Sequence, residues 1–231
     1  MEFLPTKGIE YLLAISYLLL LAPFWWFAVR GKHEAPEAAA AEPDHAGTAP
    51  GWFRVPAGFH FHRGHTWAKP DEGGLVRVGM DDFARLFLGR PQALSLPAVG
   101  ERLQQGEKGW SVKVDGQHVS LLSPVQGEVA EVNTEAIANP SLMQDDPYGK
   151  GWLLKVRAPG RSSGLKNLLP STLAKTWMDD TSRRISTMMA PDLGMVLQDG
   201  GELVSGIARE LAGDEWPHLA DEMFLTAEDI E

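Results

Sequence analysis

The stretch from Gly106 to Gly127 (GEKGWSVKVDGQHVSLLSPVQG) constrains the fold of this chain most tightly. Its first half alternates, with Trp110 and Val112 on one side and polar residues between them on the other, which is typical of a strand with one buried face. Asp115-Gly116 then supplies a two-residue turn of type I′, because both residues tolerate the positive φ that this turn requires. With the return strand that follows, the sequence predicts a β-hairpin with a polar tip on a small β domain.

The chain from roughly Phe61 to Arg157 resembles the H protein of the glycine cleavage system, a family of lipoyl carriers. The resemblance is carried by short motifs spread over this range: His65-Thr66-Trp67, Val78-Gly79-Met80-Asp81-Asp82-Phe83-Ala84, Leu96-Pro97-Ala98-Val99-Gly100-Glu101, Gly106-Glu107, Ser123-Pro124-Val125-Gln126-Gly127-Glu128-Val129, Val132-Asn133, Asn139-Pro140 and Asp145-Asp146-Pro147-Tyr148-Gly149-Lys150-Gly151-Trp152-Leu153. It implies a mainly β fold, a barrel-sandwich hybrid of the lipoyl/biotinyl type. It also implies a carrier rather than a catalyst.

The resemblance fails at the carrier lysine. Family members hold the lipoyl group on a lysine at the hairpin tip, in the setting Glu-Ser-x-Lys-Ala, ten residues after the Gly of the Gly-Glu pair and seven before the Ser of the Ser-Pro-Val segment. Counting forward from Gly106 and back from Ser123 leads to the same position, which is Gly116. The resemblance therefore implies that this chain lacks the lipoyl lysine, and we predict no bound cofactor.

Lys113, three residues before Gly116, leaves two interpretations open. It could be a displaced attachment site on the arm of the hairpin. Alternatively, it is an outward-facing strand lysine, solvated as most lysines are. We favour the second interpretation, because a turn projects an attachment lysine away from the domain whereas a strand position lies along the sheet surface.

Charge and composition argue against other classes of function. A net charge of −10 does not suit a nucleic-acid-binding protein, which normally carries a basic face. The absence of cysteine excludes disulfides, thiolate metal sites and a thiol nucleophile. The sequence contains no phosphate-binding glycine loop, no G-x-S-x-G elbow and no H-E-x-x-H motif, so we predict that it is not an enzyme. The Asp146-Pro147-Tyr148-Gly149 loop is structural in the resembled family, and we interpret it so here.

Three histidines, His60, His62 and His65, lie close together in the sequence. The spacing H-x-H-x2-H could place two imidazoles on one face of a strand, which is an arrangement that binds metal ions. However, no carboxylate or cysteine cluster accompanies them, and the resemblance already assigns His65 to the His-x-Trp motif. We therefore predict no metal site.

An apolar run from Tyr11 to Val29 is 19 residues long. A helix of this length comes close to the thickness of the hydrocarbon core of a bilayer, and the apolar region of a secretory signal would be shorter. Lys7 before the run and Arg30 and Lys32 after it place the globular part in the cytoplasm by the positive-inside tendency. The sequence thus predicts a single-pass membrane localisation with a retained anchor.

Four regions follow from these features: a transmembrane anchor (1–30), a flexible linker rich in Ala, Pro and Glu (31–51), an H-protein-like domain (52–160) and a helical C-terminal extension (161–231). Apolar residues recur at helical spacing from Leu165 to Met189, which predicts amphipathic helices that pack on a partner or, as we favour, on the chain's own β domain.

The function predicted from the sequence is that of a membrane-anchored, H-protein-like module. We expect it to be non-lipoylated and to act as a binding or scaffold protein, with protein partners that use the 106–127 hairpin and the C-terminal helices. The alternative is a working carrier of lipoyl or aminomethyl groups in a glycine cleavage-type system, with lipoate on Lys113.

Overall fold

The computed structural model describes residues 51–160, 164–189 and 203–227. Within them, ten β-strands form two sheets. The strands are β1 (His60–His62), β2 (Thr66–Pro70), β3 (Val76–Met80), β4 (Ala93–Ser95), β5 (Arg102–Leu103), β6 (Lys108–Val114), β7 (Gln117–Leu122), β8 (Gly127–Val132), β9 (Leu154–Arg157) and β10 (Leu169–Pro170).

The larger sheet has seven strands in the order β10-β1-β2-β3-β9-β8-β5, and the smaller one has three in the order β4-β6-β7. All the strand pairs described are antiparallel. Short turns connect several consecutive strands, as antiparallel pairing allows. The mainly β fold of the barrel-sandwich class is therefore confirmed.

Six α-helices complete the described part of the chain: α1 (Asp82–Leu88), α2 (Thr134–Ala138), α3 (Leu142–Asp145), α4 (Ser171–Met189), α5 (Ile207–Ala212) and α6 (Trp216–Met223). Local residues set their ends. The Asp81 carboxylate accepts a hydrogen bond from the Ala84 N–H (2.9 Å) and caps α1, as expected for an N-cap aspartate. Helix α4 begins directly after Pro170, which lies in the edge strand β10, where a missing N–H is tolerated.

None of the helices in the described ranges is both long and apolar enough to span a bilayer. The run from Tyr11 to Val29, on which the predicted anchor rests, lies outside these ranges, as does nearly all of the predicted linker. The four predicted region boundaries stay predictions.

A single hydrophobic core joins the β-strands to the C-terminal helices. Trp67 and Val78 from the larger sheet belong to the same cluster as Met178 and Ile185 of α4 and Phe224 after α6. Helix α4 packs on β1, α5 on α1, and α6 on β7. The C-terminal helices therefore pack on the chain's own β domain, and for α4 this is the arrangement that we favoured from the sequence.

Candidate functional site

The predicted hairpin is formed by β6 and β7. Its register pairs Val112 with Val119 and Lys113 with His118, and Val114 with Gln117 closes the two-residue turn. The valines are buried, whereas Lys113 is half-buried on the opposite face. Alternation along β6 thus separates a core face from an outer face, as the sequence predicted.

The turn itself has the backbone geometry that its residues demand. Asp115 and Gly116 adopt φ values of +47° and +83°, so both central residues are left-handed, as in a type I′ turn. Gly116 is exposed, and a Cβ atom added to it would meet no atom within 4 Å. The position that the family resemblance assigns to the carrier lysine therefore opens to solvent.

Lys113 lies on a central strand rather than at the tip. Its strand β6 is flanked on one side by β4, where Ala93 is its pairing partner, and on the other by β7. The Lys113 carbonyl accepts a hydrogen bond from the Gln92 N–H (2.7 Å). The backbone of Lys113 is thus held in the sheet on both sides.

Residues distant in sequence surround the tip. The Gly116 N–H donates to the Oε1 atom of Gln92 (3.2 Å). The Asp115 carboxylate forms an ion pair with Arg209 of α5, and the guanidinium lies 5.1 Å from the centre of the Trp216 ring. Sequence reasoning missed Gln92, Arg209 and Trp216, because no local pattern pairs residues so far apart along the chain.

The three histidines have separate environments. His65 is buried, with its Nδ1 atom 2.9 Å from the Asp81 carboxylate, and its ring stacks between Phe83 (3.9 Å) and Trp177 (4.7 Å). The Nδ1 atom of His62 accepts a hydrogen bond from the backbone of Gly64 (3.0 Å). In the described ranges, no three His, Cys, Asp or Glu side chains lie close enough together to hold a metal ion.

The loop around Tyr148 has a structural role, in agreement with our interpretation. The Asp146 carboxylate accepts hydrogen bonds from the N–H groups of Gly149 (3.0 Å) and Lys150 (2.9 Å). The Tyr148 hydroxyl accepts from the Asp82 N–H (3.0 Å) and donates to the Arg54 carbonyl (2.7 Å), and burial raises the pKa of this hydroxyl.

Two antiparallel sheets with a polar-tipped hairpin in the smaller one define a barrel-sandwich domain of the lipoyl-carrier class. The family model described as "Glycine cleavage H-protein" matches residues 59–181, which is more than half of the chain. The chain belongs to the glycine cleavage H-protein family. The match reaches beyond the motifs seen in the sequence and includes the first half of α4.

Two individual relatives agree with the family match. The probable glycine cleavage system H protein of Natronomonas pharaonis is 41% identical over 108 residues, which are 47% of this chain and 85% of that protein. The H protein of Carboxydothermus hydrogenoformans is 40% identical over 102 residues, 44% of this chain and 78% of that protein. A crystal structure of the H protein from Mycobacterium marinum superimposes with a TM-score of 0.49 at 30% identity, covering 55% of this chain and 99% of that one.

Family membership tests two predictions, one on enzymatic activity and one on localisation. H proteins are lipoate carrier proteins and not enzymes, so the chain is not an enzyme. The predicted localisation, a single-pass membrane protein with its globular part in the cytoplasm, is contradicted by the match to this family. That prediction relied on the length and apolarity of one run, whereas the matched domain alone accounts for 85% of the Natronomonas relative and leaves little of that protein for an anchor and linker.

Proposed function

We propose that this chain is a non-lipoylated, H-protein-like binding module whose hairpin and adjoining C-terminal helices form a docking surface for a protein partner. One observation carries the proposal: glycine occupies position 116, where the family resemblance expects the carrier lysine. The left-handed φ of +83° supports the placement of Gly116 at the tip, because a type I′ turn requires positive φ and glycine adopts it without strain.

The position of Lys113 also supports the proposal. A carrier arm must swing between sites on different proteins, which favours attachment at a projecting turn. Lys113 is half-buried on β6, between β4 and β7, and its backbone is fixed by pairing on both sides. An arm attached there would begin on the sheet surface rather than at the tip.

The alternative is a carrier that uses Lys113, with lipoate as its cofactor. Two observations favour it: H proteins are lipoate carriers, and Lys113 lies on the outer face of the hairpin, opposite the buried valines. In this reading the hairpin keeps the carrier function of the family with an arm displaced by three residues.

Mass spectrometry of the protein from its native host distinguishes the two functions. The measurement is the intact mass together with a tryptic map of residues 106–127. We expect cleavage after Lys113, because an unmodified lysine is a trypsin site. A missed cleavage together with a lipoyl adduct on Lys113 would establish the carrier function instead.

A lysine introduced at the tip tests whether the glycine at position 116 alone prevents lipoylation. We expect the Gly116→Lys variant to accept lipoate from a lipoate ligase, because its side chain would extend into open space. The left-handed backbone costs a side chain about 1 kcal/mol there, which the domain can tolerate. Gly116→Ala is the matched control, with the same backbone cost and no amine. Lipoylation of the parent or of the control would contradict the proposal.

A further inference from the structure

The hairpin tip contacts a part of the chain that lies beyond the family match. The match ends at residue 181, and we call residues 203–227, which contain α5 and α6, the C-terminal segment. Helix α6 packs on β7, and Arg209 of α5 pairs with Asp115 of the turn. The C-terminal segment therefore covers part of the hairpin without belonging to the matched domain.

The C-terminal segment is anchored away from the tip. Ile207 and Phe224 are buried in the common core. The N–H of Gly206 also donates to the carbonyl of Leu86 in α1 (2.8 Å). These contacts hold the segment on the domain and do not depend on Asp115.

The contact between Arg209 and Asp115 at the tip is a partly exposed ion pair rather than a buried apolar contact. The side chains of Arg209 and Asp115 keep 33% and 51% of their exposure, and exposed ion pairs contribute little to folding. Among the described residues, the Nη2 atom of Arg209 has no hydrogen-bond acceptor, although most shielded donors in proteins have one. The tip contact can thus be exchanged for another without disturbing the anchor.

The charges around the tip define which kind of group could replace the Arg209 side chain. A recess of about 540 Å3 lies between the hairpin and the C-terminal segment. Among the described residues that line it, Asp115 and Asp214 are acidic and Arg209 is the one cation. If Arg209 moved away, two carboxylates would remain, so a replacement must be cationic. A guanidinium suits a carboxylate better than an ammonium does, because its planar fork can bind both oxygens.

We propose that the C-terminal segment is a tethered occupant of the Asp115 side of the hairpin tip, and that a protein partner docks on that side by replacing Arg209 with an arginine of its own. This inference rests on the proposed function, in which the hairpin is a docking surface. It adds the chemistry of the partner, which is a protein with an exposed arginine, and a competition between that arginine and Arg209.

The accessibility of the tip can be measured without a partner. The chain contains no cysteine, so Gly116→Cys introduces a unique thiol in open space. Its rates of alkylation by iodoacetamide and by a maleimide on a polymer chain are compared as a ratio, bulky over small. We expect Arg209→Ala to raise this ratio roughly 1.5- to five-fold, the range that an exposed ion pair contributes.

Arg184→Ala is the matched control. It breaks another exposed ion pair of the C-terminal segment, with Glu222, on the side of α4. We expect it to leave the ratio unchanged. Asp115→Asn breaks the tip pair from the hairpin side and should act as Arg209→Ala does. An unchanged ratio in both tip variants, or an equal rise with Arg184→Ala, would overturn the inference.

The chemistry of the partner has its own probe. N-acetylarginine amide, added to the Gly116→Cys protein, is expected to raise the ratio, whereas the neutral isostere N-acetylcitrulline amide is not. Equal effects of the two compounds, or none from either, would overturn the arginine requirement. These outcomes are independent of lipoylation. A lipoyl adduct on Lys113 in the native protein would refute the proposed function, even if Arg209 limited access to the tip.

Discussion

Gly79 and Trp67 show how two motifs of the family resemblance depend on each other. The residues pair across β2 and β3, and a Cβ atom added to Gly79 would lie 2.6 Å from the Trp67 ring. Trp67 is fully buried, and its indole N–H donates to the Met80 carbonyl (2.8 Å), so the ring cannot move aside freely. The glycine thus makes room for the tryptophan of the His-x-Trp motif.

We expect Gly79→Ala to lower the free energy of unfolding by about 1–3 kcal/mol, because the added methyl group overpacks the site. Urea denaturation followed by circular dichroism measures the change. Gly51→Ala is the control, since a Cβ atom there would meet nothing within 4 Å, and it should stay within about 0.5 kcal/mol of the parent. Equal stabilities of the two variants would mean that the contact with Trp67 does not restrict this position.

Individual residues were predictable from the sequence where local chemistry determines them. The positive φ values of Asp115 and Gly116 follow from the residue types of a two-residue hairpin turn. The pairing of Gly79 with Trp67 was not predictable in this way, because it depends on the register between two strands. Likewise, the contact of Arg209 with the tip depends on the packing of a segment far along the chain.

The turn between β1 and β2 links stability to pH. Burial, together with the nearby His65, lowers the pKa of His62, and burial also lowers the pKa of His60. The Nδ1 atom of His62 must stay unprotonated to accept the hydrogen bond from Gly64. Because the unfolded chain binds protons more readily, stability is fully present above about pH 6.5 and is lost as the pH falls through the lower pKa of the folded state.

We therefore expect His62→Asn to reduce the loss of unfolding free energy between pH 7.5 and pH 5.5. An asparagine oxygen can accept the same hydrogen bond and does not titrate in this range. The measurement is urea denaturation at both pH values, and His118→Asn, at an exposed position of β7, is the control that should keep the parent's loss. If His62→Asn loses as much stability as the parent, other groups cause the dependence.

Elements with a strong local pattern were predicted well. The alternation along β6 and the helical spacing before Met189 both appear as elements of the expected type. Strand β10 was not expected, since two residues that include a proline carry no strand signal of their own. It forms because β1 offers a free edge, to which Leu169 and Pro170 pair. The formation of β10 therefore depends on its tertiary contact with β1.

The molecule as a whole departs from a family domain with an appended tail, because the C-terminal segment completes its core. Phe224 is fully buried beside the rings of Phe87 (5.8 Å), His65 (6.0 Å) and Phe83 (6.3 Å). The sequence predicted amphipathic helices that pack on the domain from Leu165 to Met189, and it made no such prediction for the C-terminal segment. Which aromatic residues they would meet could not be predicted, since ring packing depends on three-dimensional arrangement rather than on spacing.

If this core is shared, damage to the C-terminal segment should destabilise the β domain. We expect Phe224→Ala to lower the free energy of unfolding by about 3–5 kcal/mol, as the loss of a buried phenylalanine does. Leu225→Ala is the adjacent control, because Leu225 is 54% exposed and should change stability by less than about 0.5 kcal/mol. Denaturation is followed by far-ultraviolet circular dichroism for all elements and by hydrogen exchange in β7. Both signals should shift together, because a common core unfolds as one unit. A separate early transition in the helices, with β7 as protected as in the parent, would show instead that the segment is an independent addition to the family domain.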